Sequence, residues 1–138
     1  YAIEKEHADR IIDIATLTGA AVSALGNRYA AVVTNNESWL EQLKNAAAFT
    51  GENIWQLPAC EEYKELLKSE IADLKNSGGP FAGAITAALF LKEFVQDKPW
   101  LHIDIAGTAF VDRETGIFPY GATGSGVRLL TTLLKYME

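Results

Sequence analysis

The sequence predicts an α/β fold, layered α/β/α, with a largely parallel, mixed sheet. Residues 10–17, 29–34 and 100–106 are short runs of β-branched and apolar residues, which is the pattern of buried strands. Segments with helical patterns separate these runs, and strands that alternate with helices are typical of a largely parallel sheet. Residues 11–16 and 100–106 are expected to be the central strands.

Helical segments follow the first two strands. Residues 20–25 are expected to form one or two helical turns that end at Gly26. A longer helix is predicted to run to Phe49, with Ser38 as its N-cap and Glu41 completing a capping box. Residues 53–57 then form a short strand or extended link that ends at a proline.

Two further helices have recognisable inner faces. Residues 61–69 are predicted to form a charged amphipathic helix whose inner side carries Tyr63, Leu66 and Leu67. In the last helix the apolar residues that recur at helical spacing are Val127, Leu130, Leu134 and Met137. The glycine-rich residues 111–124 between strand and helix predict a long ordered loop of the kind that often lines a site.

Residues 80–95 are predicted to form the central helix, packed across the sheet. From Phe81 to Leu91 no residue is charged, and a helix that is apolar on every side is buried. Its entrance, Gly78-Gly79, has two interpretations. It is either a tight turn that feeds the helix or a helix N-terminus that binds an anion or a substrate carbonyl. Turn chemistry favours the first, and the absence of a following Gly-Lys-Ser/Thr excludes a P-loop.

Size and charge limit the classes of function. The 138 residues make a single domain, and a net charge of −6 argues against nucleic acid or anionic lipid as the main partner. No apolar run reaches the roughly 20 residues that a membrane span requires. The single cysteine, Cys60, excludes an internal disulfide and fits a reducing compartment. Neither His7 nor His102 sits in a nucleophile motif, so Cys60 is interpreted as a non-catalytic thiol.

One tetrapeptide, Ile-Asp-Ile-Ala, occurs twice, at residues 12–15 and 103–106, each time at the end of a predicted strand. In open α/β sheets, ligands bind outside the carboxyl ends of the strands. If the two strands are parallel neighbours, their ends form one wall of a pocket.

The aspartates of this repeat, Asp13 and Asp104, also have two interpretations. They are buried carboxylates satisfied by backbone N–H groups or by an arginine (Arg10, Arg113 or Arg128), or they are oxygen ligands of a metal ion. No third or fourth ligand lies nearby in the sequence, which favours the first interpretation.

Five blocks of the chain resemble the leucine (cytosol) aminopeptidase family, in that family's order and with similar spacing. They are Ala-Thr-Leu-Thr-Gly-Ala (15–20), Ile-Ala-Asp-Leu-Lys-Asn (71–76), Gly-Ala-Ile-Thr-Ala-Ala-Leu-Phe-Leu (83–91), Asp-Ile-Ala-Gly-Thr-Ala (104–109) and Gly-Ala-Thr-Gly-Ser-Gly-Val-Arg (121–128). The resemblance implies an exopeptidase that uses two divalent metal ions, zinc or manganese, to release N-terminal residues such as leucine from peptides. It also implies a cytoplasmic protein that is typically a homo-hexamer.

Two segments of that family are absent from these residues. One bears a lysine and an aspartate, the other reads Asn-Thr-Asp-Ala-Glu-Gly-Arg, and together they carry the family's metal ligands and catalytic basic residues. Tyr1-Ala2 resembles the helix that follows the second segment. Residues 1–138 are therefore expected to be the C-terminal portion of one catalytic domain, with the sheet incomplete at its N-terminal side. They are expected to contain no catalytic residue, to bind no metal ion, and to be inactive alone.

What the resemblance does assign is substrate binding. It implies that Thr16, Leu17 and Gly19 lie beside the peptide, with backbone groups of Leu17 and Gly19 contacting it. Ala106 and Ala109 match the lining of the pocket for the N-terminal side chain. The alternative from a different class is a non-enzymatic α/β binding or assembly module, which the acidic charge and the incomplete catalytic set both permit.

Overall fold

The computed structural model describes residues 1–135 and has a four-stranded mixed sheet at its centre. Strands β1 (Ile11–Ala15), β4 (Trp100–Asp104), β2 (Ala30–Thr34) and β3 (Ile54–Gln56) lie side by side in that order. The pairs β1–β4 and β2–β3 are parallel and the pair β2–β4 is antiparallel. The predicted fold class is confirmed. Of the two strands predicted to be central, β4 is an inner strand, whereas β1 lies at the edge of the described sheet.

Helices cover both faces of this sheet. The α-helices are α1 (Gly19–Leu25), α2 (Glu37–Thr50), α3 (Gly83–Lys92) and α4 (Val127–Lys135). A 3-10 helix spans Glu61–Leu67, and strands β5 (Phe110–Val111) and β6 (Gly121–Ala122) form a short antiparallel hairpin where the sequence predicts a long loop. Among residues 1–135, no helix is long and apolar enough to cross a membrane.

The two faces of β4 belong to two different cores, because consecutive residues of a strand point to opposite sides of the sheet. On one face Leu101 and Ile103 pack in a cluster with buried residues of α2 and α4, among them Leu40 and Leu129. On the other face Trp100 packs with buried residues of β2 and α3 and with Val95, which follows α3. This double burial explains why the strand is recognisable as a continuous apolar run.

Helix α2 begins earlier than predicted, and its N-cap is Asn36. The Asn36 Oδ1 accepts hydrogen bonds from the Trp39 N–H at 2.9 Å and from the Ser38 hydroxyl at 3.0 Å. Asn36 has an extended backbone, as an N-cap requires, whereas Ser38 already lies inside the helix. The predicted N-cap at Ser38 is therefore wrong.

Helix α3 is shorter than predicted, because it begins at Gly83 and not at Pro80. Ala82, immediately before it, has a left-handed backbone with φ 51°, which separates the preceding turn from the helix. Ala84, Thr86, Ala88 and Leu89 are buried, but Phe81 and Phe94 at the two ends are largely exposed. Every residue of Gly83–Lys92 is buried or partly buried, so the predicted burial holds for the helix itself and fails at the flanking Phe81 and Phe94.

Close packing explains the first residue of α3. A Cβ atom placed on Gly83 would lie 2.9 Å from the Ala20 Cβ of α1. A glycine at this position therefore lets the two helices approach more closely than larger residues would allow.

Residues 61–67 form a 3-10 helix and not the predicted α-helix, which changes the inner face. Leu67 is buried, but Tyr63 and Leu66 are 38% and 37% exposed. With three residues per turn, Leu67 shares a face with Lys64 and Glu61, and Tyr63 shares another with Leu66. Only one of the three predicted inner residues is buried as expected.

The apolar face of α4 also differs from the prediction. Leu129 and Leu133 are buried and Leu130 is partly buried, whereas Val127 and Leu134 are more than half exposed. The face of α4 that packs against α2 is the buried one, and the spacing of apolar residues within α4 does not by itself reveal which face that is. The predicted Met137 position lies outside the described residues.

Charged side chains link the 3-10 helix to α3, and their effect on stability is expected to depend on pH. Lys64 bonds with Glu61 at 2.8 Å and with Glu93 at 2.6 Å, and Lys92 also contacts Glu61. Hydrogen bonds from Lys64 and then Lys92 lower the pKa of Glu61 from its ordinary 4.5. Hydrogen bonds to Glu61 and then Glu93 raise the pKa of Lys64 from its ordinary 10.5.

The stabilisation by Glu61 is present above its ordinary pKa of 4.5 and lost as pH falls through its lowered folded value. The stabilisation by Lys64 is present below its ordinary pKa of 10.5 and is lost as pH rises through its raised pKa in the folded protein. We expect Glu61→Gln to destabilise the protein by only a few tenths of a kcal/mol near pH 7, since the Glu61 side chain is 52% exposed and solvent screens its ion pairs. Urea unfolding should show this difference shrinking in acid and in high salt, and a difference that persists in both would contradict the assignment.

Candidate functional site

The two copies of Ile-Asp-Ile-Ala meet at one edge of the sheet, as the repeat predicts. Strands β1 and β4 are parallel neighbours, so their carboxyl ends lie side by side. The copies are offset by two residues, because Ile14 is opposite Ile103 and Ala15 is opposite Asp104. Asp104 therefore lies at the very end of the paired region, whereas Asp13 lies within it.

Asp104 is buried and satisfied by donors from both strand ends. Its carboxylate accepts hydrogen bonds from the N–H groups of Leu17 and Thr18, each at 3.1 Å, and from the Thr18 hydroxyl at 2.7 Å. A fourth bond comes from the Ala106 N–H at 3.0 Å. A carboxylate has about four acceptor sites, so this one is fully used. The arrangement matches the interpretation of a buried carboxylate held by backbone N–H groups.

Asp13 has different partners from those predicted. Its carboxylate accepts from the Trp100 indole N–H at 2.6 Å and lies 2.5 Å from the His102 Nδ1. Both partners lie on β4 and face the same side of the sheet as Asp13, which is directly opposite His102. The predicted backbone or arginine partners are therefore wrong for Asp13: Arg10 lies over the Trp39 ring. Within residues 1–135, no group of three or more His, Cys, Asp or Glu side chains is placed to hold a metal ion.

The loop after β1, residues 16–19, is fixed from one side. Thr18 is the N-cap of α1, and its hydroxyl accepts from the Ala21 N–H at 3.0 Å while donating to Asp104. The predicted substrate-binding residues Thr16, Leu17 and Gly19 all remain exposed. Thr18 was not among the predicted site residues, although a threonine before a short helical run is a recognisable N-cap signal.

A cavity of about 420 Å³ adjoins this loop. Leu17 and Thr18 line it on one side, and Thr86 and Ala87 of α3 on another. The segment of residues 76–79 closes a third side, with Gly79 at φ +92°. Of the five predicted site residues, only Leu17 lines this cavity. Because α3 starts four residues after Gly79, the Gly-Gly pair does not supply the first N–H groups of the helix.

The second predicted group, Ala106 and Ala109, is partly buried and held by β6 and the loop after it. The Thr123 N–H donates to the Ala109 carbonyl at 3.0 Å, and its hydroxyl donates to the Thr108 carbonyl at 2.6 Å. The Thr108 and Ser125 hydroxyls lie 2.8 Å apart. The segment of residues 106–109 is thus held from behind by hydrogen bonds.

Gly107 in this segment has a strict packing reason. A Cβ atom placed there would lie 2.0 Å from the carbonyl oxygen of Gly26, a backbone atom at the end of α1. The two backbones approach so closely that only glycine fits.

The Asp104 carboxylate therefore joins both predicted groups. It bonds to N–H groups of the loop at residues 16–19 and of the segment at residues 106–109. The structure brings the five predicted residues to one edge of the sheet, on two adjacent segments that share one buried anchor.

The Thr123 hydroxyl is expected to stabilise this region measurably. Thr123→Val removes its bond to the Thr108 carbonyl and its acceptor role for the Ser125 N–H. We expect a loss of about 1–2 kcal/mol in the free energy of unfolding, measured by urea denaturation. Thr131→Val is the matched control, because the Thr131 hydroxyl bonds only within α4, to the Val127 carbonyl, and is exposed. Equal losses in the two variants would argue against the role of Thr123.

Comparison of the sequence with known proteins identifies one family. Residues 1–131 match the catalytic domain of the cytosol aminopeptidase family. The probable cytosol aminopeptidase of Clostridium perfringens is 56% identical over 133 residues, which are 96% of this chain and 27% of that protein. The protein of the same name from Alkaliphilus oremlandii is 53% identical over all of this chain and 28% of its own length. The chain thus spans about a quarter of the relatives it matches.

Two solved structures share the fold. The bottromycin maturation enzyme BotP in complex with Mn aligns with a TM-score of 0.90 and 38% identity, over 94% of this chain and 29% of BotP. A mutant of tomato leucine aminopeptidase aligns with a TM-score of 0.87 and 42% identity, over 94% of this chain and 25% of that enzyme. With a family match over nearly its whole length, this chain belongs to the cytosol aminopeptidase family.

Proposed function

We propose that residues 1–138 are the C-terminal portion of the catalytic domain of a metal-dependent aminopeptidase that releases leucine-like N-terminal residues from peptides. In this proposal the chain supplies the substrate-binding wall and no metal ligand. The observation that carries it is the Asp104 carboxylate, which anchors both segments of that wall. Membership of the family and the complex of BotP with Mn support the metal dependence.

The hydrogen bonds of the wall indicate which backbone groups meet the peptide. The Leu17 N–H is already bonded to Asp104, so the Leu17 carbonyl is the group left to accept from the substrate. Gly19 is exposed at the first position of α1, where an N–H group has no partner within its helix. We assign the Leu17 carbonyl as an acceptor and the Gly19 N–H as a donor to the peptide backbone, with Thr16 beside them.

Ala106 and Ala109 are proposed to line the pocket for the N-terminal side chain, which discriminates by roughly 1–3 kcal/mol per methylene. The cavity beside Leu17 is proposed to take another apolar side chain of the peptide. Paired metal ions, zinc or manganese, would activate the water and polarise the scissile carbonyl from segments outside these residues. The residues of this chain bind and orient the peptide for that step.

The proposed partners follow from the same family. The substrate is a peptide, and the active protein is proposed to be cytoplasmic, in line with the names of its relatives. It is further proposed to be a homo-oligomer, a hexamer, as the family resemblance implies. The net charge of −6 argues against a nucleic acid or an anionic membrane as the main partner.

The test compares residues 1–138 with the intact protein. We expect the intact protein with zinc or manganese to hydrolyse leucine-p-nitroanilide, and a chelator to abolish the reaction. Residues 1–138 alone are expected to show no turnover with either ion, because substrate binding without the metal centre does not lower the chemical barrier. Chelator-sensitive hydrolysis by residues 1–138 would refute the assignment of the metal ligands to other segments. An inactive, metal-free intact protein would favour a binding or assembly module.

A further inference from the structure

A second and larger cavity lies at the same edge of the sheet. Its volume is about 480 Å³, within the range of pockets that bind small molecules. It lies between the sheet, the β5–β6 hairpin and the start of α4. It contacts Ile105, just before the segment of residues 106–109, and Thr108 within that segment. None of the five proposed substrate-binding residues lines it.

The floor of this cavity is apolar. Its accessible part is formed by the partly buried Ile54 and Ile105, whereas Ile103 and Leu129 beside them are at most 1% exposed. The ring of Phe118 forms part of the wall. An apolar group of a ligand would displace water from this floor.

The rim of the cavity carries three arginines, Arg28, Arg113 and Arg128. The Arg128 guanidinium already has two partners within the protein. Its Nε donates to Glu52 at 3.0 Å, and its centre lies 5.8 Å from the centre of the Phe118 ring. Among the ion pairs of residues 1–135, neither Arg28 nor Arg113 takes part in one. Two guanidinium groups at the rim therefore have their donors available.

The local charge opposes that of the whole chain. Three guanidinium groups and two carboxylates, those of Glu52 and Asp112, line the cavity, whereas the chain carries a net charge of −6. Glu52 is already used, since it accepts from the Gly126 N–H at 2.7 Å as well as from Arg128. With Arg128 paired to Glu52, Arg28 and Arg113 leave an excess of one positive charge over Asp112, which favours an anion at this rim.

We propose that this cavity binds a small organic anion in which a flat apolar body carries a carboxylate or a phosphate. The body lies on Ile54 and Ile105 and against Phe118, and the oxyanion is held by Arg28 and Arg113. Guanidinium groups suit both oxyanions, because their planar fork donates two parallel hydrogen bonds. This inference does not depend on the proposed peptidase activity.

The test uses probes that differ only in charge. Equilibrium dialysis of the intact protein, with a chelator present so that no metal ion binds the probe, measures 2-naphthoate, 2-naphthyl phosphate and the neutral 2-naphthamide. We expect saturable binding of at least one anion at one site per chain, with the amide about tenfold weaker or worse, since charged hydrogen bonds contribute about 1.5–3 kcal/mol. The anion that binds with the higher affinity identifies whether the cavity prefers a carboxylate or a phosphate. The proposal would be overturned if the amide bound as tightly as both anions, or if neither anion showed saturable binding.

Paired variants locate the site. Arg28→Gln combined with Arg113→Gln is expected to weaken binding of the anion by about tenfold or more. Lys5→Gln combined with Lys135→Gln removes the same charge from exposed positions outside the cavity and is expected to change affinity by less than about twofold. Both arginines are exposed, so thermal unfolding should confirm that the variant folds. Equal affinity in the two double variants would place the anion elsewhere and refute the assignment.

Discussion

Gly19→Leu in the intact protein is expected to lower kcat/KM for leucine-p-nitroanilide by roughly 100-fold or more, with metal content unchanged. Under the proposed function the substrate backbone must approach Gly19, and a displacement of about 1 Å from the reactive geometry costs about that factor. The metal ligands belong to other segments in this proposal, so the ions remain bound. Steady-state kinetics and elemental analysis of the purified variant measure the two quantities.

The structure makes this a clean test, because nothing in the described fold requires a glycine at position 19. A Cβ atom there would meet no other atom within 4 Å, and Gly19 is not among the glycines with a left-handed backbone. Gly19→Ala should therefore leave stability unchanged or raise it by up to about 1 kcal/mol through helix propensity. Ser23→Leu is the control, since it adds similar bulk at another exposed position of α1. Unchanged kinetics in Gly19→Leu, or the same loss in Ser23→Leu, would refute the placement of the substrate.

Asp104→Asn is expected to cost about 3 kcal/mol or more in the free energy of unfolding. Asp104 is buried and faces donors only: three backbone N–H groups and the Thr18 hydroxyl. An asparagine at this position would turn its own N–H₂ toward those donors, and each buried group left without a partner costs about 1–3 kcal/mol. The anchor of both wall segments would be weakened, so kcat/KM should fall as well.

Asp13→Asn is the matched control, since it is the same change in the other copy of the tetrapeptide. Asp13 faces one donor, the Trp100 N–H, and one imidazole nitrogen that either donates or accepts. An asparagine can accept from the indole and donate to His102, so we expect a loss of only about 1 kcal/mol. Urea denaturation of the two variants compares them directly. A loss in Asp104→Asn no greater than in Asp13→Asn would contradict the anchoring role.

Local pattern was sufficient for the fold class and for the main elements. The β-branched composition of β1, β2 and β4 and the helical spacing in α2 are properties of neighbouring residues, which is why they are visible in the sequence. The helix starts were less accurate, because Asn36 and Ser38 are both good N-caps and the end of the preceding strand decides between them. The 3-10 geometry of Glu61–Leu67 lies in a segment that packs against α3, a contact between parts of the chain distant in sequence.

By itself, the sequence determined the α/β class, the family, and the two segments that carry the proposed substrate wall. These features depend on residue types and their order, which need no partner across the fold. Only the tertiary structure decided that Asp104 faces four donors while Asp13 faces Trp100 and His102, because the register between β1 and β4 is set by pairing. It also distinguished Gly107, which the Gly26 carbonyl requires, from Gly19, which no packing requires. The arginine-rimmed cavity joins positions from 27 to 129, a proximity that only the folded chain creates.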